Sequence, residues 1–406
     1  MSAQTSGANA DSVATPRLPI APGKTLGVIG GGQLGRMFVH AAQRMGYFTA
    51  VLDPDADSPA GRVSHHHVPT GYLDEGGLAR LADLSDAITT EFENVPAAAL
   101  TALALRRPVA PGAAAVAIAQ DRALEKTHFA RCGVACAPYA LITSAQDLAA
   151  VPPALLPGIL KTTRLGYDGK GQQIVGTLAE LAQAWQALGQ VSCVLERKLA
   201  LALECSVVVA RGADRQMVHL PVQRNLHRGG ILAMTEVHPQ NLPLPLAQRA
   251  VAAARDIAAG IDYVGVLCVE FFVLQDGALV VNEMAPRPHN SGHWSMDGCD
   301  VSQFELQVRA LAGLPLPTPR PHGPTVMLNL MGELWLRGDH VATPPWAELL
   351  ALPGTHLHLY GKNEPRPGRK MGHLNLTGDS LPGVRATALR ACVLLGIAPF
   401  AWSDAA

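Results

Sequence analysis

Leu26-Gly27-Val28-Ile29-Gly30-Gly31-Gly32-Gln33-Leu34-Gly35 is the stretch on which the fold turns. The apolar run 26–29 reads as a short buried strand, and the glycines that follow read as a tight turn. Arg36 to Met45 reads as a helix stopped by Gly46, and Thr49-Ala50-Val51-Leu52-Asp53 as a second strand. A strand–helix–strand unit of this kind opens a doubly wound α/β sheet. Ala87 to Glu91 reads as a further strand and Pro108 to Pro111 as a short one, so a first domain is expected to close near residue 120. Upstream, residues 1–23 lack periodicity, an apolar leader core and an Arg-rich amphipathic pattern, and read as a disordered tail.

Strands and helices mix from Arg122 to about 318. Val191–Arg197, Glu204–Arg211, Val264–Val273 and Ala278–Asn282 read as strands, and Pro243–Gly260 as an Ala-rich helix. Leu-Pro repeats at 314–319 suggest a linker. Strands at Val326–Leu330 and His356–Tyr360, a basic loop and a helix near Leu381–Leu395 follow.

Composition excludes several classes. With 48% hydrophobic and 16% charged residues among 406, the chain has material for buried cores and is not a disordered polymer. A net charge of -1 gives no footprint for nucleic acid or an anionic membrane, and no apolar run reaches the ~18 residues of a spanning helix. The seven cysteines are scattered and odd in number, which fits a reducing, cytoplasmic compartment better than a disulfide framework. Arg greatly outnumbers Lys, whose seven positions are Lys24, Lys126, Lys161, Lys170, Lys198, Lys362 and Lys370. Where composition favours Arg, retained lysines become candidates for work that suits a compact ammonium.

Gly30, Gly32 and Gly35 match G-x-G-x-x-G, and Asp53 ends the next strand where a ribose-binding acid would stand. The pattern favours an anionic or phosphorylated ligand at the helix N-terminus, with a ligand-free tight turn as the plainer reading. Further on, Asp276-Gly277 between strand-formers predicts a two-residue hairpin. That turn sets Phe272 opposite Val281, Phe271 opposite Asn282 and Glu270 opposite Glu283. Facing glutamates repel unless something offsets their charge, and Mg²⁺ is the natural candidate. Asn282 would join them only if its strand is bulged. The alternatives are a solvated strand end or a slipped register. Gly166-Tyr167-Asp168-Gly169-Lys170-Gly171-Gln172 is not a P-loop, but glycine loops of another kind fold over nucleotide phosphates. With Lys161 before it and Glu196, Lys198 and Glu204 after it, a nucleotide–metal site is plausible. His65-His66-His67 lacks partners at useful spacing and reads as surface.

These blocks, together with Asn282-Glu283-Met284-Ala285-Pro286-Arg287-Pro288-His289-Asn290-Ser291-Gly292-His293-Trp294 and Arg366-Pro367-Gly368-Arg369-Lys370-Met371-Gly372-His373, resemble the ATP-grasp ligases. Within them the chain resembles the N5-carboxyaminoimidazole ribonucleotide synthetase family, from about Lys24 to the last helix. The resemblance implies an α/β ATP-grasp fold: a pre-ATP-grasp doubly wound domain at 24–121, an ATP-grasp domain at 122–318 and a small C-terminal domain at 319–406. It implies ATP with Mg²⁺, and 5-aminoimidazole ribonucleotide and bicarbonate as substrates. It also implies a homodimer and hand-over of product to a separate mutase. Carried over residue by residue, Glu270 and Glu283 hold Mg²⁺. Arg122, Lys161, the 166–172 loop, Glu196, Arg197, Lys198, Leu199, Glu204, His227, Asn282 and Glu283 bind ATP. Gln33, Leu34, Glu93, Asn94, Arg366, Arg369 and Lys370 meet the ribonucleotide, and Arg287, His289 and Asn290 lie at the reacting centre. Competing readings are the formate-dependent glycinamide ribonucleotide transformylase, against which Gln33 and the 366–373 block speak, a nicotinamide-dependent oxidoreductase, and a silent binding subunit.

Overall fold

The computed structural model describes residues 18–166, 171–337 and 340–400. Of the expected tail 1–23, residues 1–17 lie outside the described residues, as do loop residues Tyr167, Asp168, Gly169 and Lys170 and the last six residues. Residues 18–23 are ordered instead, with Ile20 buried in the first domain's core and its N–H donating to Ala312 O at 2.8 Å.

Strands β1 (Thr25–Ile29), β2 (Phe48–Leu52), β3 (His66–Val68) and β4 (Ala87–Thr90) form a parallel sheet in the order β3-β2-β1-β4. β1 is almost wholly buried, as a parallel strand covered on both faces must be. The helix Gln33–Arg44 turns Leu34, Met37, Phe38, Val39 and Ala42 inward, and Gly46, at φ 83°, ends it. The segment Pro108–Pro111 contributes a single bridge, Val109 to Ile88, instead of a strand.

A second sheet, antiparallel, runs β5-β8-β6-β7 from β5 (Tyr139–Ile142), β6 (Gly158–Thr162), β7 (Gln172–Val175) and β8 (Cys193–Arg197). The third sheet has nine strands. β9 (Leu201–Arg211), β10 (Met217–His219), β11 (Gln223–Arg228), β12 (Ile231–Val237), β13 (Gly265–Leu274) and β14 (Leu279–Ala285) come first. β15 (Thr325–Met331) then pairs with β12, and β16 (Leu336–Arg337) and β17 (His340–Val341) form a small separate ribbon. β18 (Thr355–Leu359) and β19 (Lys370–Thr377) extend the large sheet, giving the order β14-β13-β9-β11-β12-β15-β19-β18 with β10 on β9. The sheet is thus continuous across the expected linker at 314–319.

Alternation along β13 explains the sheet's two faces. Val269, Phe271 and Val273 pack under the helix Leu244–Gly260, whose Ala250, Ala254, Ile257 and Ala258 are fully buried. Glu270 and Phe272 point the other way, into a cavity. No described helix is long and apolar enough to cross a membrane.

Candidate active site

A cavity of about 930 Å³ lies between the nine-stranded sheet, the β5–β8 sheet, the first glycine loop and the 362–370 loop. Its floor is built by strand alternation. Phe272 stands opposite Glu204 on β9, and Glu270 opposite Ser206. His227 adds from β11, where its Nδ1 makes a very short ion pair with Glu204.

The hairpin delivers the two carboxylates by a different route from the expected one. The turn holds three residues, Gln275-Asp276-Gly277, closed by Leu274 N–H to Ala278 O at 2.8 Å, with Gly277 in the left-handed region (φ 79°). Phe272 therefore faces Val280, and Phe271 faces Val281. A bulge at Asn282 then absorbs one residue and restores Glu270 opposite Glu283. The two departures from the two-residue reading cancel. The bulge also turns Asn282 toward the cavity, with a buried Oδ1 that has no hydrogen-bond partner.

Each carboxylate has a cation beside it. Arg122 Nη1 lies 3.0 Å from Glu283 Oε2, and His289 Nε2 lies 2.9 Å from Glu270 Oε1. Burial opposes the charged form of Glu270, but His289, His227 and Lys370 outweigh it and hold its pKa at about 2. His289 is raised in return: burial works against its cation, and Cys268 and Glu270 beside it prevail. Among the described residues no group of three or more His, Cys, Asp or Glu is placed to hold a metal ion. Two carboxylates and an orphaned amide oxygen in a cleft nevertheless match the donors Mg²⁺ takes when phosphate oxygens complete its shell.

Other predicted residues on the wall are Gln33, Leu34, Glu93, Asn94, Lys161, Gly166, Gly171, Gln172, Arg287, Asn290, Arg366, Arg369 and Lys370. Arg287 makes a short ion pair with Glu93, and Asn290 exchanges amide hydrogen bonds with Asn329. Glu196, Arg197, Lys198 and Leu199 do not border the cavity. Glu196 is buried behind it, each carboxylate oxygen 3.0 Å from an ammonium, one on Lys126 and one on Lys161.

The glycine loop corrects the expectation of a bound anion. Its acceptor is internal: Glu91, just past β4, takes Gly32 N–H and Gly35 N–H at 2.9 Å each. A Cβ on Gly30 would meet the Glu91 side chain at 2.6 Å. Asp53 is equally engaged, accepting from Gly31 N–H at 2.7 Å and Tyr72 OH at 2.8 Å. The helix dipole and the loop amides are already complemented by a carboxylate, which leaves the dinucleotide pattern without a vacant anion site. Replacing Glu91 with Ala is expected to cost about 1–3 kcal/mol locally and to speed amide exchange at Gly32 and Gly35 some tenfold or more. Unchanged protection there would show that the carboxylate does not hold the loop. His65 and His66 are exposed, as expected of a surface run.

Among the described wall residues, three charged ones went unassigned from sequence: Glu91, Glu125 and Lys362. Glu125 accepts Met284 N–H at 2.6 Å behind the bulge, and burial pushes its carboxyl up to about 8. Lys362 donates to Gln33 Oε1 at 2.6 Å, joining the C-terminal loop to the first glycine loop. Its signal was the scarcity of lysine. Glu91 and Glu125 carried none, because each is read only through the backbone amides it meets.

A cleft between two antiparallel sheets, with paired acids on the larger and a lysine on the smaller, defines an ATP-grasp protein. Matches to known families run in the same order: ribonucleotide synthetase preATP-grasp domain over 23–120, ATP-grasp domain over 127–304, and phosphoribosylaminoimidazole carboxylase C-terminal domain over 325–387. An N5-carboxyaminoimidazole ribonucleotide synthase of Brucella melitensis is 44% identical over 87% of this chain and 96% of its own. An ADP complex of an N5-carboxyaminoimidazole ribonucleotide synthetase superposes with TM-score 0.87 at 37% identity, covering 93% of this chain and 98% of the other. The Aspergillus clavatus synthase, in complex with ADP and 5-aminoimidazole ribonucleotide, gives 0.83 at 30% identity, covering 92% and 98%. The chain belongs to the N5-carboxyaminoimidazole ribonucleotide synthase family.

Proposed function

We propose that this chain carboxylates 5-aminoimidazole ribonucleotide with bicarbonate at the expense of ATP, a step of purine biosynthesis. The observation that carries the reading is the bulged hairpin, which puts Glu270, Asn282 and Glu283 on one cavity wall while cationic residues crowd the others. A bicarbonate oxygen attacks the γ-phosphorus and ADP leaves, giving carboxyphosphate. The exocyclic amine then attacks the carboxyl carbon, phosphate departs and the nitrogen loses its proton.

Phosphoryl transfer asks mainly for positioning and positive charge. Glu270, Glu283 and Asn282 would hold Mg²⁺, which supplies charge neutralisation at the ATP phosphates. Arg122 and Lys161 line the cavity as cations suited to the ATP phosphates, and Glu204 and His227 line it as partners for the rest of the nucleotide. Lys126 stands behind Lys161, and their shared acid Glu196 fixes the position of the Lys161 ammonium. Arg366, Arg369, Lys370 and Lys362 form the group suited to the ribonucleotide phosphate. Arg287 and His289 face the interior where bicarbonate would react, and enclosure shields a labile mixed anhydride from water.

The division at 24–121, 122–318 and 319–406 gives ATP and bicarbonate the central domain and draws the ribonucleotide's contacts from the first and last, although the large sheet is shared. A homodimer, a cytoplasmic setting and hand-over to a separate mutase complete the reading, supported by family resemblance. ADP release from Mg-ATP with bicarbonate should rise strongly when 5-aminoimidazole ribonucleotide is added. Stimulation by glycinamide ribonucleotide and formate instead would overturn the assignment.

A further inference from the structure

The two ring nitrogens of His289 face different neighbours. Nε2 meets Glu270 in the cavity, and Nδ1 lies 2.9 Å from Ser291 Oγ. Ser291 is fully buried and ends a line of side chains drawn from three strands. Thr235 on β12 donates to Asn225 Oδ1 at 2.9 Å, which fixes that amide so that Asn225 Nδ2 donates to Ser206 Oγ at 2.9 Å. Ser206 on β9 has one proton left to give. Its nearest acceptor is Ser291 Oγ at 2.8 Å, ahead of Gln223 Oε1 at 3.1 Å. The backbone of His289 is clamped separately, by Gln303 accepting its N–H at 2.9 Å and donating to its C=O at 2.7 Å.

Neither the hydroxyls nor Asn225 has a place in the chemistry described above. A buried polar line of this kind is costly unless every member is satisfied, and here it converges on one imidazole. We propose that Ser291, oriented by Ser206 and Asn225, is a positioning residue that holds the His289 ring with Nε2 toward Glu270 and the reacting centre. A hydroxyl suits this task because it accepts from a protonated Nδ1 and donates to an unprotonated one, so the ring keeps its orientation whichever form is present. Without it, a ring flip is opposed by the ion pair with Glu270, which either nitrogen satisfies, and by the longer contact of the Ser291 N–H with Nδ1 at 3.3 Å.

The inference rests on the proposed reaction but is tested partly without turnover. In Ser291→Ala, kcat for ribonucleotide-dependent ADP release is expected to fall on the order of tenfold, with KM for ATP and for the ribonucleotide within about twofold of wild type. In ¹⁵N spectra of the folded variant, the single His289 Nδ1 signal should shift and broaden as the ring samples both orientations. A wild-type kcat with an unchanged Nδ1 signal would overturn the proposal, as would a rise in KM for ATP that accounts for the whole loss. Where Ser291→Ala does not fold, Ser206→Ala is read the same way. It should give a smaller fall in kcat and the same spectral change, and an unaltered ring signal there overturns the proposal. Absence of ribonucleotide-dependent ADP release in the wild-type protein would instead remove the proposed reaction, and the ring spectra would still decide the role of Ser291.

Discussion

Glu283→Gln is expected to lower ADP formation about a thousandfold, the rate equivalent of ~4 kcal/mol of lost transition-state stabilisation, while the protein stays folded. The substitution keeps the shape of the side chain and an oxygen for Arg122, 3.0 Å away, but removes the charge. Glu283 is partly exposed to the cavity, so neutralising it leaves no buried charge without water. What is lost is one of two anionic donors in a place where Asn282 supplies a neutral one. The check is ADP release across a magnesium titration, with circular dichroism as the fold control. A folded variant of near-wild-type rate at every magnesium concentration would remove Glu283 from the metal assignment.

Lys126→Ala is expected to act on stability first. Glu196 is buried, and its oxygens are divided between Lys126 and Lys161 at 3.0 Å each. Burial alone would raise its pKa, but Lys161 and Lys126 hold it down, from the usual 4.5 to about 2. Removing the fully buried partner leaves a carboxylate that one ammonium must serve, at a cost of roughly 3–5 kcal/mol. The pH dependence follows from the depressed value. The stabilisation is fully present above the unfolded-state pKa and is lost as pH falls through the window from about 4.5 to about 2. With one ammonium gone, the folded-state pKa rises and acid unfolding begins at higher pH. Urea unfolding followed at Trp185, in the same domain, measures both effects. Lys161 would also be drawn toward Glu196, raising the KM for ATP. Adding Glu196→Gln to Lys126→Met should cost further stability, since it leaves the buried Lys161 ammonium without its acid. A single variant within 1 kcal/mol of wild type would show that Glu196 finds compensation elsewhere.

Periodicity and turn residues made most elements legible. The helices Leu244–Gly260 and Leu381–Leu395 and the strand before Asp276-Gly277 stand within a residue of their expected bounds, while the strand after it runs to Ala285, three residues past its expected end at Asn282. Lysine scarcity was informative as well: Lys161, Lys362 and Lys370 line the cavity and Lys126 stands behind it. The glycine loop misled because its amides report only that an anion is needed. They do not distinguish a ligand phosphate from a side chain 56 residues downstream. Alternation alone could not place Asn282. A period-2 pattern sends adjacent residues to opposite faces, and only a bulge breaks it.

By itself, then, the sequence determined the strand–helix–strand opening, the hairpin, the acidic pair and the family blocks, because these depend on local spacing and residue type. Tertiary structure decided which charges meet which partners: Glu91 with the loop amides, Glu196 with two lysines, and His289 between Glu270 and Ser291. Those pairings join residues from separate strands, helices and loops. Their strength depends on burial and on distances of about 3 Å, neither of which is encoded in any local pattern.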